Sequence, residues 1–138
     1  MKGLAFLVAA ILAVVALIHV YWALGGVYGI ASAAPVPEGG GEFKPPKLLT
    51  FLIACLLAGL AVLALMLVYP NLPLAGFAPY FGFFVALVFV VRAIGDFKYV
   101  GFFKSVKNSD FARKDSRYFS PLCLFLGVSF AWLSFTGF

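Results

Sequence analysis

Arg92, Asp96 and Tyr99 lie four and three residues apart in "VVRAIGDFKYVGFFK", so a helix through them carries all three on one face. In "IHVYWALGG", His19, Trp22 and Gly26 share a face by the same spacings, while Tyr21 points elsewhere. These residue types suit an anion pocket. A guanidinium clamps a carboxylate or phosphate. An imidazole gives or takes a proton near neutral pH, and an indole supplies an apolar wall. Asp96 offers Arg92 a countercharge within one helix. That matters in an apolar setting, where an unpaired arginine near the centre of a membrane span costs about 2.5–3.5 kcal/mol on insertion scales.

The elements that must position these groups follow from composition. The 138 residues are 64% hydrophobic and 11% charged, with a mean hydropathy of +1.10. A water-soluble domain has far more polar surface than this, so the chain reads as an integral membrane protein. Irregular backbone cannot face lipid, and the apolar runs are continuous rather than alternating, which excludes a barrel. Four runs approach the roughly 20 residues that a membrane helix needs. The predicted spans are 4–26, 48–69, 77–96 and 119–136, in one domain over 1–138. The fold class is therefore all-α: a four-transmembrane-helix bundle with a basic, aromatic interfacial segment between the third and fourth helices. "MKGLAFLVAAILAVVALIHVYW" followed by "ASAAP" has the outline of a signal peptide. The stretch between the apolar run and Ala33 is too long for one, so it is read as the first span.

Basic residues set the orientation. Lys98, Lys104, Lys107, Arg113, Lys114 and Arg117 follow the third span, and Lys44 and Lys47 precede the second. The loop between spans two and three has none, so loops one and three are expected in the cytoplasm and both termini outside. His19 lies fifteen residues beyond Leu4, roughly 22 Å along the helix, and Arg92, near the end of the third span, which runs the same way, reaches a similar depth. The expectation is a cluster of His19, Trp22, Arg92, Asp96 and Tyr99 at the cytoplasmic end of the bundle. It reads either as a ligand pocket or as a set of interfacial anchors with Arg92 snorkelling to phosphate.

In the third loop Tyr99, Phe102, Phe103 and Val106 recur at helical spacing with lysines at the margins. A segment lying in the headgroup layer has this pattern. It makes Lys98, Lys104, Lys107, Arg113, Lys114 and Arg117 candidate contacts to anionic headgroups, each worth about 1 kcal/mol near such a surface. The net charge of +5 sits where topology requires it, and no nucleic-acid motif accompanies it. Cys55 and Cys123 stand in different spans without paired spacing, and one histidine with no mid-membrane carboxylate is a poor metal set. No metal and no cofactor are expected. Ala9, Ala13 and Ala16, with Ala54, Ala58 and Ala61, form small-residue stripes suited to helix packing.

"IHVYWALGG", "VRAIGDFKYVGFFK" and "FARKDSRYFSPLCLFLG", in that order, resemble an uncharacterised family of small four-helix bacterial membrane proteins, a domain of unknown function (DUF3995-like). The resemblance covers most of the chain and implies four spans in a bacterial inner membrane. It implies no activity. It marks His19, Tyr21, Trp22, Gly25, Gly26, Arg92, Gly95, Asp96, Asp115 and Pro121 as motif positions.

Three functions fit these observations. The first is a binding module that holds an anionic amphiphile or lipid headgroup in the cluster around His19, Trp22, Arg92, Asp96 and Tyr99. The second is an accessory structural subunit, packing its alanine stripes and phenylalanine-rich faces against a larger membrane complex or against copies of itself. The third is a lipid-modifying enzyme with His19 as acid–base. A channel or pump fits poorly, because the outer half offers no polar path.

Overall fold

In the computed structural model, which describes residues 1–33, 45–95, 97, 100–105, 107 and 110–138, each long apolar run is helical. The four long helices are α1 (Lys2–Ala23), α3 (Lys47–Met66), α4 (Ala78–Ile94) and α6 (Ser120–Gly137). Two short helices join the set: α2 (Ile30–Ala33) after α1, and α5 (Asp110–Lys114) before α6. Four helical runs, Lys2–Ala23, Lys47–Met66, Ala75–Ile94 (α4 with the single 3-10 turn before it) and Asp110–Gly137, are long and apolar enough to cross a bilayer, and no strand occurs among the described residues. Side chains such as Leu17, Leu24, Phe81, Phe84 and Phe135 are more than 60% exposed, which water would penalise and hydrocarbon does not.

The helix ends follow local chemistry. α1 stops at Ala23, short of the expected residue 26, because Gly25 adopts φ +104°. Its N–H reaches the Trp22 carbonyl and that of Gly26 reaches Tyr21, the paired bonds of a Schellman cap. α4 ends at Ile94 rather than 96, with the Gly95 N–H on the Val91 carbonyl. Pro79 stands in the first turn of α4, where a missing N–H costs nothing. The fourth span has a more unusual start. α5 continues without a break into a π-helical turn, Asp115–Phe119, and then into α6, in which the Ser120 N–H reaches back to the Asp115 carbonyl. Pro121 follows at once. A proline ring inside an α-helix clashes with the carbonyl four residues earlier, and the wider turn gives it room. The continuous run Asp110–Gly137 has 28 residues and rises about 42 Å against a hydrocarbon core of about 30 Å. Its polar first turns therefore project beyond the span.

α1 lies along α3, and α4 along α6, while the two pairs meet less extensively. The α4–α6 seam is made of small residues. Ser120, Gly127 and Ser134 recur every seventh position on α6; Gly127 faces Ala86 and Ser134 faces Gly82 on α4. A methyl on Gly127 would stand 3.1 Å from the Ala86 carbonyl oxygen, and one on Gly82 would overlap the Ser134 hydroxyl. Membrane helices approach closely in this way, since burial against lipid-like neighbours gives little driving force. The shared core joins Ala5, Val8 and Leu12 to Ala64, Leu67, Val85, Leu126, Phe130 and Leu133. All but Leu126 lie in the half of the bundle that holds the start of α1, the end of α3, the start of α4 and the end of α6. The other half, where α1 ends and α6 begins, is organised differently.

Candidate functional site

At that other end a carboxylate is enclosed. Asp115 opens the π-turn and is fully buried. Arg92 Nη2, from the last turn of α4, donates to its Oδ1 at 2.8 Å. The Gly101 N–H donates to Oδ2 at 2.7 Å, and Lys104 Nζ to the same oxygen at 3.0 Å. Lys104 is itself only 2% exposed, and its amine also donates to the Gly101 carbonyl at 2.7 Å and the Ser116 hydroxyl at 2.5 Å. An ammonium has three protons, and all three of Lys104 are used inside the protein.

The chain after α4 is shaped to make this possible. Gly95 and Gly101 both have φ +89°, and each packs so closely on the other's backbone that a side chain would overlap it. The Phe102 N–H bonds the Ala93 carbonyl at 2.8 Å, which folds the loop back onto the end of α4. The segment therefore departs from the expected headgroup-layer pattern. Its described residues are turns and bends, so helical spacing does not set which side chains face outwards. Phe102 and Phe103 are exposed while Lys104 turns in. Lys104 is accordingly corrected from a headgroup contact to a buried partner of Asp115. Asp96, Lys98, Tyr99 and Val106 lie outside the described residues.

Burial alone would push the Asp115 carboxyl up. The hydrogen bonds from Arg92 and Lys104, the Arg92 charge and the Gly101 N–H outweigh it and hold the group below its usual range. Asp115 is thus an ionised carboxylate facing two cations, and the cluster keeps one net positive charge. Such an arrangement gains attraction only because each oxygen is also hydrogen-bonded. Among the described residues three buried polar atoms lack partners: Ser134 Oγ in the α4–α6 seam, and Arg92 Nη1 and Ser120 Oγ at this end. Buried polar groups are nearly always paired, so all three are conspicuous. The Arg92 side chain is also 33% exposed, unlike its two partners.

The expected partners on α1 are elsewhere engaged. His19 Nδ1–H donates to the Val15 carbonyl at 2.8 Å, within its own helix. Its ring meets Trp22 edge-on at 5.1 Å, and Trp22 Nε1–H donates to the Tyr28 carbonyl at 2.9 Å, closing the turn after α1. No hydrogen bond or ion pair joins His19 or Trp22 to Arg92 among the described residues. The helix topology does put them at one end of the bundle, because α1 ends where α4 ends. α2 packs on α5, which ties the two sides of that end together. Of the remaining basic residues, Lys107, Arg113 and Arg117 are exposed. Arg117 lies 5.4 Å from the Tyr118 ring, and Lys114 pairs with Asp110 across one turn at 3.5 Å. No group of three or more metal-ligating side chains converges among the described residues.

Fold and site define a multi-pass integral membrane protein of four helices with an ion-paired cluster at one end. The chain belongs to the family described as protein of unknown function (DUF3995), whose match covers residues 5–130. Searches of curated proteins and of solved structures return no significant match.

Proposed function

We propose that the protein is a membrane-embedded binding module for an anionic amphiphile, with Arg92 as the residue that takes the phosphate or carboxylate. The observation that carries this reading is the unpaired Arg92 Nη1 on a guanidinium already oriented by Asp115 through Nη2. A planar fork held at one nitrogen is pre-aligned at the other. Lys104 shares the neutralisation of Asp115, so Arg92 retains charge for an incoming anion. The Ser120 hydroxyl, also buried and unpaired, is a second donor at the same end of the bundle. His19 and Trp22 serve as the interfacial wall beside it, and exposed Lys107, Arg113 and Arg117 draw anionic lipid towards the site. In this reading the basic end faces the cytoplasm of a bacterial inner membrane, following the distribution of lysine and arginine.

The test is native mass spectrometry of the full chain extracted gently from its own membrane. Wild type should retain a small anionic mass that Arg92→Gln loses, while Lys2→Gln, at the opposite end of the bundle, keeps it. A well-folded Arg92→Gln protein with undiminished retention would overturn the proposal. Co-migration with defined larger polypeptides, and no small mass, would replace it by the accessory-subunit reading.

A further inference from the structure

A second feature lies on the opposite helix pair and shares no residue with the Arg92 cluster. Where the common core gives out, α1 and α3 leave between them an open slot of ≈ 370 Å³. Ala13, Ala16 and Val20 line one side; Ala54, Ala58 and Ala61 line the other. Ala13 and Ala58 are exposed although they sit along the seam of two paired helices. The slot's lining is almost wholly apolar. Its dimensions separate the possible occupants. Seven residues of helical rise make it about 10 Å long, and ≈ 370 Å³ over that length gives a mean cross-section of about 35 Å². A helix 10–12 Å across needs about 80–110 Å². An alkyl chain can lie along the slot, whereas a partner helix would enter it only with side chains.

The slot also has a charged end. Lys47 precedes Ala54 by seven residues, as Ala54 precedes Ala61, so Lys47 continues the same stripe of α3 towards the membrane boundary. Its Nζ reaches the turn that ends α1, 3.7 Å from where a side chain on Gly25 would begin. Lys47 is exposed. Beyond the slot the α3 stripe passes Thr50, whose hydroxyl is turned onto the Pro46 carbonyl, and ends at the Lys47 amine beside the turn after α1.

We propose that this slot is a binding site for one acyl chain of an anionic bilayer phospholipid, whose phosphate rests at Lys47. The chain lies against the alanines, and the headgroup meets the amine at the end of α1. The site is separate from the Arg92 cluster, so either can fail without the other.

The experiment uses the full chain in nanodiscs with phosphatidylglycerol carrying a diazirine in one acyl chain, and with the matching phosphatidylcholine. Adducts of the anionic probe should concentrate on segments 13–20 and 54–61. Lys47→Gln should lower them about five-fold, the worth of one lysine near an anionic surface, and leave phosphatidylcholine labelling unchanged. Ala58→Phe, which fills the slot, should remove the enrichment for both probes. If that variant does not fold, the alkylation rate of Cys55, which lines the slot, gives the same answer in a Cys123→Ser background. The rate should fall when phosphatidylglycerol replaces phosphatidylcholine. Adducts spread evenly to the outward faces of α4 and α6 would overturn the proposal. So would a Lys47→Gln protein labelled like wild type, displacement of the probe by equimolar free fatty acid, or a Cys55–Cys55 crosslink between two copies.

Discussion

Removing the carboxylate of Asp115 would strand Lys104 in a space it cannot leave and free Arg92 from its orientation. Breaking a buried ion pair from one side typically costs about 3–5 kcal/mol, so Asp115→Asn should unfold at markedly lower denaturant in mild detergent. Lys104→Met should cost less, about 1–3 kcal/mol, because Asp115 keeps Arg92 and the Gly101 N–H. If Lys104→Met were the costlier change, the carboxylate would not be the centre of the cluster. Part of this site was legible at the residue level. Arg92 drew attention because a cation at that depth needs a reason, but helical spacing pointed to Asp96 as its partner. The partner found among the described residues is Asp115, 23 positions away. Periodicity reports only on neighbours along one helix and is blind to a chain that returns. A lone acid among Arg113, Lys114 and Arg117, just before Pro121, was the available signal, and only the family resemblance singled it out.

The loop between α4 and α5 owes its shape to two glycines, and at this scale the sequence misled most. Aromatic and basic residues at helical intervals suggested a segment lying in the headgroup layer with its lysines outward, yet positive φ at Gly95 and Gly101 turns the backbone against itself and Lys104 inward. Gly101→Ala should cost about 1–2 kcal/mol for the left-handed conformation alone, and more because the added methyl overlaps the Ile94 carbonyl. The readout is trypsin cleavage after Lys104, which is shielded in the folded protein and should accelerate in the variant. Cleavage at the wild-type rate would mean that the loop does not depend on this turn. The end of α1 teaches the same lesson. Hydropathy continues past Ala23, where a glycine cap rather than polarity stops the helix, while at Ile94 a glycine and the charged residues after it coincide.

Across the whole molecule, four spans were readable because a bilayer imposes a minimum apolar length, whereas their pairing was not, since every face of every helix is apolar. The alanine stripes do pack α1 on α3, with Ala9, Ala16 and Ala54 buried, and between the two helices Ala13, Ala58 and Ala61 border an open slot. The tight seam is on α4 and α6. Gly127→Leu should disrupt it, an overpacking cost of about 1–3 kcal/mol, whereas Gly59→Leu, with nothing within 4 Å, should be tolerated. A comparison of the two in thermal melts checks the seam. For the orientation, a cysteine at Lys107 should react with an impermeant maleimide only from the cytoplasmic face. Labelling from outside would invert the assignment of loops. The π-turn between α5 and α6 makes the last span a counting device. Deleting one residue within 116–119 would restore a regular helix with Asp115 nearly in phase, because a π-turn takes in one residue more than an α-turn. An α-helix advances about 100° per residue, so the same residues wound as a regular helix would instead swing Asp115 through about a right angle. The seam below would keep its register while the carboxylate above pointed away from both cations. One residue of length, independent of its side chain, therefore sets the phase between the two ends of the protein.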